Sequence, residues 1–385
     1  MPNQHANKTL IPANVGIAIG ADRAAALMRV LGRLDEQAAA APTSTTWAML
    51  RPVVATDSDP ERGITEVMAR LEAASRASKR TLTYVLGNWP DGRAFAMACD
   101  LVAGAPGVDA AVQLQLFEIH SRLAGWYLTA LWRAHELLNV LVEAIAEWRI
   151  VTAAAVSRAL LEGVAAFWVE SARMGDAWQQ MKLKGAPGCF EVEEFKKSLG
   201  DTLFEAQFGT RIGQTGVKKT AVARNRTNVM TLLGNFAKAI GRKDEVDRLY
   251  EWLCDAVHPS YGFQTVFTAR TLIDEQGTHV LVESNRHAVS DAREVETSPT
   301  VAWAAIDAAV LAVDSWVPAA SRFLSVVDDY GLTTGVPFTT VFDYYRKFPR
   351  PLPGRPCPCG SGQIFRTCFH RWGVPMPETA GGKVK

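Results

Sequence analysis

Three cysteines and a histidine near the end of the chain have the spacing of a metal site. Cys357 and Cys359 are separated by one proline, and Cys368 and His370 follow the glycine-containing stretch 360–362 and five further residues. Zinc binds four sulfur or nitrogen ligands in a tetrahedron, and the glycines permit the tight reversal that would fold the chain around the ion. The spacing therefore predicts a zinc site with Cys357, Cys359, Cys368 and His370 as ligands.

Two alternatives to this ligand set stay open at the level of sequence. The three thiolates could be completed by water or an external ligand instead of His370, or the tail could bind no metal. The remaining cysteines, Cys99, Cys189 and Cys254, are scattered singly. In a reducing compartment, a cluster like that of Cys357, Cys359 and Cys368 indicates metal binding rather than a disulfide framework. Any zinc bound here would be structural, because a closed site carries no reactive water.

The tail also resembles a known module. The string Cys357–Gly362 (C-P-C-G-S-G), followed by Phe365 and Cys368, resembles the SEC-C motif, the C-terminal zinc module of SecA-type translocase ATPases that is also appended to many other bacterial proteins. The family has its fourth ligand directly after the last cysteine, where this chain has Phe369, and His370 comes one residue later. The resemblance covers about 20 of the 385 residues. Family members use the module for docking, so it implies binding to a protein, ribosome or nucleic-acid partner.

A second constellation lies in the helical part of the chain. Arg158 and Glu162 are four residues apart in an otherwise apolar helical stretch, a spacing that places them on one helix face. A buried charge has to be paired, so we expect an ion pair inside the fold. Together with Asn228 and His258, this pair forms a hypothetical polar pocket. The alternative is a satisfied internal salt bridge and a helix-terminal histidine without further function.

Three segments around these residues resemble a group of bacterial helical proteins, some of which carry SEC-C tails. The segments read R-x-L-x-E at 158–162, T-N-V-x-T at 227–231 and Y-x-x-L-C-x-x-x-H-P at 250–259. The resemblance spans about residues 110–265. It implies a shared fold and brings no activity with it.

Hydrophobic periodicity sets the architecture that must position these groups. Apolar residues recur at steps of three and four from Asp109 to about Ala177, which predicts long helices that bury their apolar faces in a bundle. We predict a mainly α fold with a mixed N-terminal region (1–104), a helical bundle (105–335) containing a β-hairpin at 263–283, and a linker with the zinc module (336–385).

Charge is unevenly distributed although the net charge is only +1. Residues 206–243 carry eight basic side chains and no acid, and residues 346–385 carry eight basic side chains and one acid, a net charge of +7. Such segments bind phosphate-rich partners or are merely solvated surface. The start of the chain lacks the pattern of a secretory signal. The sequence also contains no run of about 18 uncharged apolar residues that would predict a membrane span, so we expect a cytoplasmic protein.

These observations favour a zinc-binding, non-catalytic interaction protein. The alternative is an enzyme, a nuclease or hydrolase acting in stress or phage defence, that uses a polar pocket in the helical domain.

Overall fold

The computed structural model describes residues 11–41, 43, 53–78, 84–88, 93–98, 108–183, 199, 201–210, 224–225, 227–258, 266–273, 280–284 and 298–334. The helices are α1 (Ala13–Ile19), α2 (Ala21–Ala40), α3 (Pro60–Ser78), α4 (Val108–Ala146), α5 (Ile150–Leu183), α6 (Asp201–Phe208), α7 (Val229–Ala239), α8 (Lys243–Val257) and α9 (Ser298–Thr334). The strands are β1 (Val53–Val54), β2 (Tyr84–Asn88), β3 (Ala94–Ala98), β4 (Gly209–Thr210), β5 (Arg224–Asn225), β6 (Thr268–Ile273) and β7 (Val280–Ser284). The predicted mainly α fold is confirmed.

The chain divides into two compact units, each drawn from three separate stretches. Unit 1 contains residues 1–41, 128–172 and 226–321, and unit 2 contains residues 42–127, 173–225 and 322–385. The helices α4, α5 and α9 each contribute residues to both units. The contiguous domains 1–104, 105–335 and 336–385 stay a prediction.

Unit 1 is a helical assembly with a hairpin. The rings of Phe167 and Trp316 lie 4.3 Å apart in its core, and Trp168 meets Phe236 edge-on at 5.9 Å. The Ser157 hydroxyl donates to the Ala305 carbonyl at 2.6 Å, which satisfies a buried hydroxyl where α5 meets α9. The strands β6 and β7 pair antiparallel, as the predicted hairpin requires.

Ion pairs attach α2 to the unit 1 part of α9. Arg23 donates twice to the Asp307 carboxylate, at 2.9 and 3.0 Å, and Arg29 and Arg33 share Asp314. Hydrogen bonds from Arg29 hold the pKa of Asp314 below its ordinary value. Asp307 and Asp314, which interrupt the apolar sequence of this part of α9, are therefore the points at which α2 is fixed to it.

Unit 2 combines a small sheet with helices. β3 is the central strand and pairs antiparallel with both β1 and β2. The buried residues Val67 and Leu71 of α3 pack with Ala55 and Ala94 in a small apolar cluster. Trp126 packs edge-on against Phe323 at 5.1 Å, which joins α4 to the unit 2 part of α9.

Two helical segments, Ile150–Lys182 and Thr300–Gly331, have the length and apolar composition of a membrane span. Buried core helices of other proteins pass the same test, and 56% and 67% of the most apolar windows are buried inside this fold. Both segments also contain paired charges, such as Arg158 with Glu162 and Asp307 with Arg23. These features are typical of core helices.

Candidate functional site

The predicted zinc ligands Cys357, Cys359, Cys368 and His370 lie outside the described residues. In the part of the chain that the structure describes, no group of three or more His, Cys, Asp or Glu side chains could hold a metal ion. The zinc site therefore stays a prediction from the cysteine spacing.

The structure brings three of the four predicted pocket residues together, in unit 1. Arg158 and Glu162 lie on α5, and His258 caps the C-terminal end of α8. Tyr250 and Cys254 precede His258 on α8 at steps of four residues and therefore share its face. We call these five residues the α5–α8 cluster.

Glu162 is the acceptor at the centre of the α5–α8 cluster. Its Oε1 atom accepts a hydrogen bond from Arg158 Nε at 2.9 Å and another from the Tyr250 hydroxyl at 2.8 Å. The Arg158 guanidinium also lies 5.2 Å from the centre of the Tyr250 ring, a cation–π distance. These contacts fix the guanidinium on two sides.

His258 completes the α5–α8 cluster at its exposed end. Arg158 Nη1 lies 3.3 Å from His258 Nε2. Because a guanidinium can only donate, Nε2 is the acceptor, and the neutral ring carries its proton on Nδ1. The following Pro259 disfavours helical geometry at His258, and His258 is extended, with φ −82° and ψ 153°. From the sequence, Pro259 predicts that the helix 243–257 ends near Val257, and α8 does end at that residue.

Burial changes the titration of the groups in the α5–α8 cluster. Burial and the hydrogen bond to Glu162 raise the pKa of Tyr250 to about 12, and burial raises the pKa of the Cys254 thiol. Burial lowers the pKa of Arg158, but the hydrogen bond to Glu162 and nearby groups raise it by more. At neutral pH the cluster therefore holds a thiol, a phenol and a guanidinium cation.

The sequence predicts that Arg158 and Glu162 form an ion pair inside the fold. The two side chains do pair, and they are half-buried, at 25% and 26% exposed. The cause is their position, since they face α8 near its end and next to the exposed His258. The pair is therefore accessible to water.

Asn228, the fourth predicted pocket residue, is the N-cap of α7. Its side chain accepts a hydrogen bond from the backbone N–H of Met230 at 3.0 Å, and the residue is exposed. This bond satisfies one of the donors that the first turn of a helix leaves open. The motif position of Asn228 thus has a local structural reason.

Sequence reasoning did not include Tyr250 and Cys254 among the pocket residues. Their spacing from His258 was the available signal, because steps of four residues on one helix place all three on a single face. The contact with α5 was not readable from that pattern.

A second polar cluster, which the sequence did not predict, is buried in unit 2. Arg122 Nη1 lies 3.5 Å from Glu118 Oε1 on α4, and the two side chains are only 6% and 5% exposed. Arg122 Nε donates to Gln207 Oε1 at 3.0 Å, and Gln207 Nε2 donates back to the Arg122 carbonyl at 3.2 Å. These residues and their neighbours on α4, α5 and α9 form what we call the unit 2 cluster: Glu118, His120, Arg122, Trp178, Lys182, Gln207, Asp329 and Tyr330.

The unit 2 cluster continues onto α5 and α9. Asp329 accepts hydrogen bonds from Trp178 Nε1 at 2.5 Å and from Lys182 Nζ at 2.9 and 3.1 Å. The Tyr330 ring stacks on His120 with a centroid distance of 6.0 Å and meets Trp178 edge-on at 4.9 Å. Burial lowers the pKa of His120 to about 4, so His120 is neutral at physiological pH.

Asp328, on α9, lies in an environment that disfavours the ionised form of its carboxyl group. Burial, and then the neighbouring Asp329 carboxylate, raise its pKa to about 7. Its Oδ1 atom is buried and has no hydrogen-bond partner among the described residues. A carboxyl in this position is expected to be partly protonated near neutral pH.

Comparison of the chain with family models, with curated proteins and with solved structures gives no match. A fold alone does not specify a function. The function has to be argued from the chemistry of the side chains named above and from the cysteine spacing of the tail.

Proposed function

We propose that the chain is a zinc-binding, non-catalytic interaction protein whose C-terminal segment, residues 336–385, docks on a macromolecular partner. The observation that carries the proposal is the spacing of Cys357, Cys359, Cys368 and His370. Three thiolates and an imidazole are the donor set of a closed structural zinc site. Zinc would fold this proline- and glycine-rich stretch by linking its ligands, since metal binding supplies the folding energy of such small modules.

Charge favours a phosphate-rich partner. The last forty residues carry eight basic side chains and one acid, and basic groups held beside a folded loop attract phosphate. Among the partners expected for this module, the ribosome or another RNA therefore fits better than an uncharged protein surface. Binding of this kind weakens as salt rises.

The titration of the α5–α8 cluster also supports a non-catalytic function. A nucleophilic cysteine needs a lowered pKa, whereas the pKa of Cys254 is raised. Tyr250, with a pKa of about 12, is far from the value that suits acid–base catalysis at neutral pH. The charge of Glu162 is engaged by Arg158 and Tyr250.

Co-sedimentation with ribosomes tests the proposal. We expect the full-length protein to co-sediment in low salt and to be released as salt rises. The double variant Cys357→Ser/Cys359→Ser should lose binding, and Cys189→Ser, which removes a cysteine outside the motif, should bind as the unaltered protein does. Equal, salt-insensitive binding of all three proteins would contradict zinc-dependent docking.

A second candidate function is supported by one observation, the convergence of Arg158, Glu162 and the exposed His258. Such a constellation could serve a nuclease or hydrolase, because Arg stabilises anionic transition states and His is the commonest general base. Under this alternative, His258→Gln should abolish hydrolysis of a phosphodiester or ester substrate, and Arg248→Gln, a change of an exposed arginine on the same helix, should not. Absence of hydrolysis by the unaltered protein would exclude it for those substrates.

A further inference from the structure

We infer that the free edge of the Arg158 guanidinium, which Glu162, Tyr250 and His258 hold in place, is a binding site for a small oxyanion such as a phosphate or carboxylate group. This inference depends neither on the zinc module nor on catalysis. It rests on the hydrogen-bond inventory, the fixed position and the exposure of the Arg158 side chain.

The guanidinium has donors to spare. It carries five N–H groups, of which one on Nε is engaged by Glu162 and one on Nη1 by His258. The other three have no acceptor among the described residues. The Arg158 side chain is 25% exposed, so water reaches it. A planar pair of free N–H groups matches the two oxygens of a carboxylate or phosphate.

The same guanidinium is held in place before any ligand arrives. Glu162 fixes Nε at 2.9 Å, and the Tyr250 ring lies under the guanidinium plane at 5.2 Å. A free arginine side chain loses rotamer freedom on binding, and a fixed one loses less. Glu162 therefore positions Arg158, although its negative charge also opposes an anion.

His258 holds the guanidinium from a third direction. Its Nε2 lies 3.3 Å from Arg158 Nη1 and accepts one N–H of that atom, while Nδ1 lies on the opposite side of the ring. His258 is exposed, and no other contact of its ring is present among the described residues. His258 is therefore a positioning residue for Arg158, and the oxyanion itself contacts the free edge of the guanidinium.

The chemistry of the cluster excludes other ligand classes. A metal ion needs several free anionic or imidazole donors, but Glu162 Oε1 already accepts two hydrogen bonds and the nearest charge is the Arg158 cation. An apolar ligand would leave the guanidinium edge unsatisfied. An oxyanion satisfies both constraints.

NMR titration of the full chain with inorganic phosphate, and separately with acetate, tests this inference at constant ionic strength set with chloride. The readout is the ring signal of His258, assigned by its loss in His258→Gln. We expect saturable shifts with phosphate, acetate or both, and the stronger of the two arms identifies the preferred oxyanion. Shifts no larger than those produced by chloride alone would overturn the inference.

Variants separate the site from general electrostatics. Arg158→Gln should weaken binding at least 10-fold, measured by calorimetry, and Arg248→Gln, on the exposed surface of the same helix as His258, should change it less than 2-fold. His258→Gln leaves the contacts of Arg158 with Glu162 and Tyr250 intact and should weaken binding at least 3-fold, so the test holds even if Arg158→Gln unfolds. Unchanged affinity in His258→Gln, or an equal loss in Arg248→Gln, would overturn the inference.

Discussion

Two of the arginine–glutamate pairs at a spacing of four residues differ in burial, one lying in each unit of the chain. In unit 1, Arg158 and Glu162 are 25% and 26% exposed, whereas in unit 2 Arg122 and Glu118 are 6% and 5% exposed. Their electrostatics differ accordingly. The pKa of Arg158 is raised, but burial lowers that of Arg122.

The difference teaches that one sequence pattern serves two purposes. A buried charge has to be paired inside the fold, and Gln207 adds hydrogen bonds to the Nε atom and the backbone carbonyl of Arg122. A half-buried pair can keep donors free for a ligand, as we infer for Arg158. We therefore assign stability to the Glu118–Arg122 pair and binding to the Arg158–Glu162 pair.

The largest expected effect is on the buried pair. Glu118→Ala leaves the Arg122 cation buried without its carboxylate, so we expect the free energy of unfolding to fall by about 3–5 kcal/mol. Urea denaturation measures this change. Glu136→Ala, at an exposed position of the same helix, is the control and should stay within about 0.5 kcal/mol. Similar losses in both variants would show that the Glu118–Arg122 pair has no special role.

A second expectation concerns the pH dependence of unit 2. The pKa of Asp328 is raised to about 7. The contribution of Asp328 to the free energy of unfolding is therefore fully present below the ordinary aspartate pKa of about 4, and it is lost as pH rises through 7. Asp328→Asn removes this titration. The variant should be more stable than the unaltered protein by about 2 kcal/mol at pH 8 and by much less at pH 4.

His120 acts in the opposite direction and has to be separated from this effect. Its pKa is lowered to about 4, so its contribution is present above about 6.5 and is lost as pH falls through 4. Because His120 titrates in both proteins, the difference between Asp328→Asn and the unaltered protein isolates Asp328. A difference that does not change between pH 4 and pH 8 would show that folding does not raise the pKa of Asp328.

A smaller loss is expected for the half-buried pair of Arg158 and Glu162. Arg158→Ala removes an ion pair that water screens and a cation–π contact, so we expect a loss of about 1–2 kcal/mol in the free energy of unfolding. Arg248→Ala is the matched control on α8. A loss as large as that of Glu118→Ala would erase the distinction between the two pairs.

The sequence predicted the elements near the α5–α8 cluster well. Periodicity placed α8 at Lys243–Val257, and Pro259 set its end, because a proline disfavours helical geometry at the residue before it. Arg158 and Glu162 were placed on one face for the same local reason. The spacing within one helix does not tell which other helix packs against it. The contact between α5 and α8, and with it the place of Tyr250 and Cys254 in the cluster, was therefore not predicted.

The unit 2 cluster was beyond a reading of the sequence. Residues 118–122 read as a polar stretch with one apolar residue, yet all five are buried, because other segments cover this part of α4 on every side. The strands β2 and β3 were also missed. β3, with the sequence AFAMA, has none of the β-branched residues that mark a strand.

The smallest expected effect is that of removing the tail. Deletion of residues 350–385 should leave the melting temperature within about 2 °C, because the stretch that begins it, 349–354, has the proline-rich composition of a linker with few crossing contacts. Differential scanning calorimetry measures this shift. A fall of 10 °C would show instead that the tail stabilises the helical part of the chain.

The most direct test of the central claim is the zinc content of the protein. Elemental analysis of full-length protein, purified under reducing conditions without a metal-affinity tag, should give about one zinc per chain. Cys357→Ser/Cys359→Ser should give none, and Cys254→Ser should match the unaltered protein. A zinc content near zero in the unaltered protein would contradict the account.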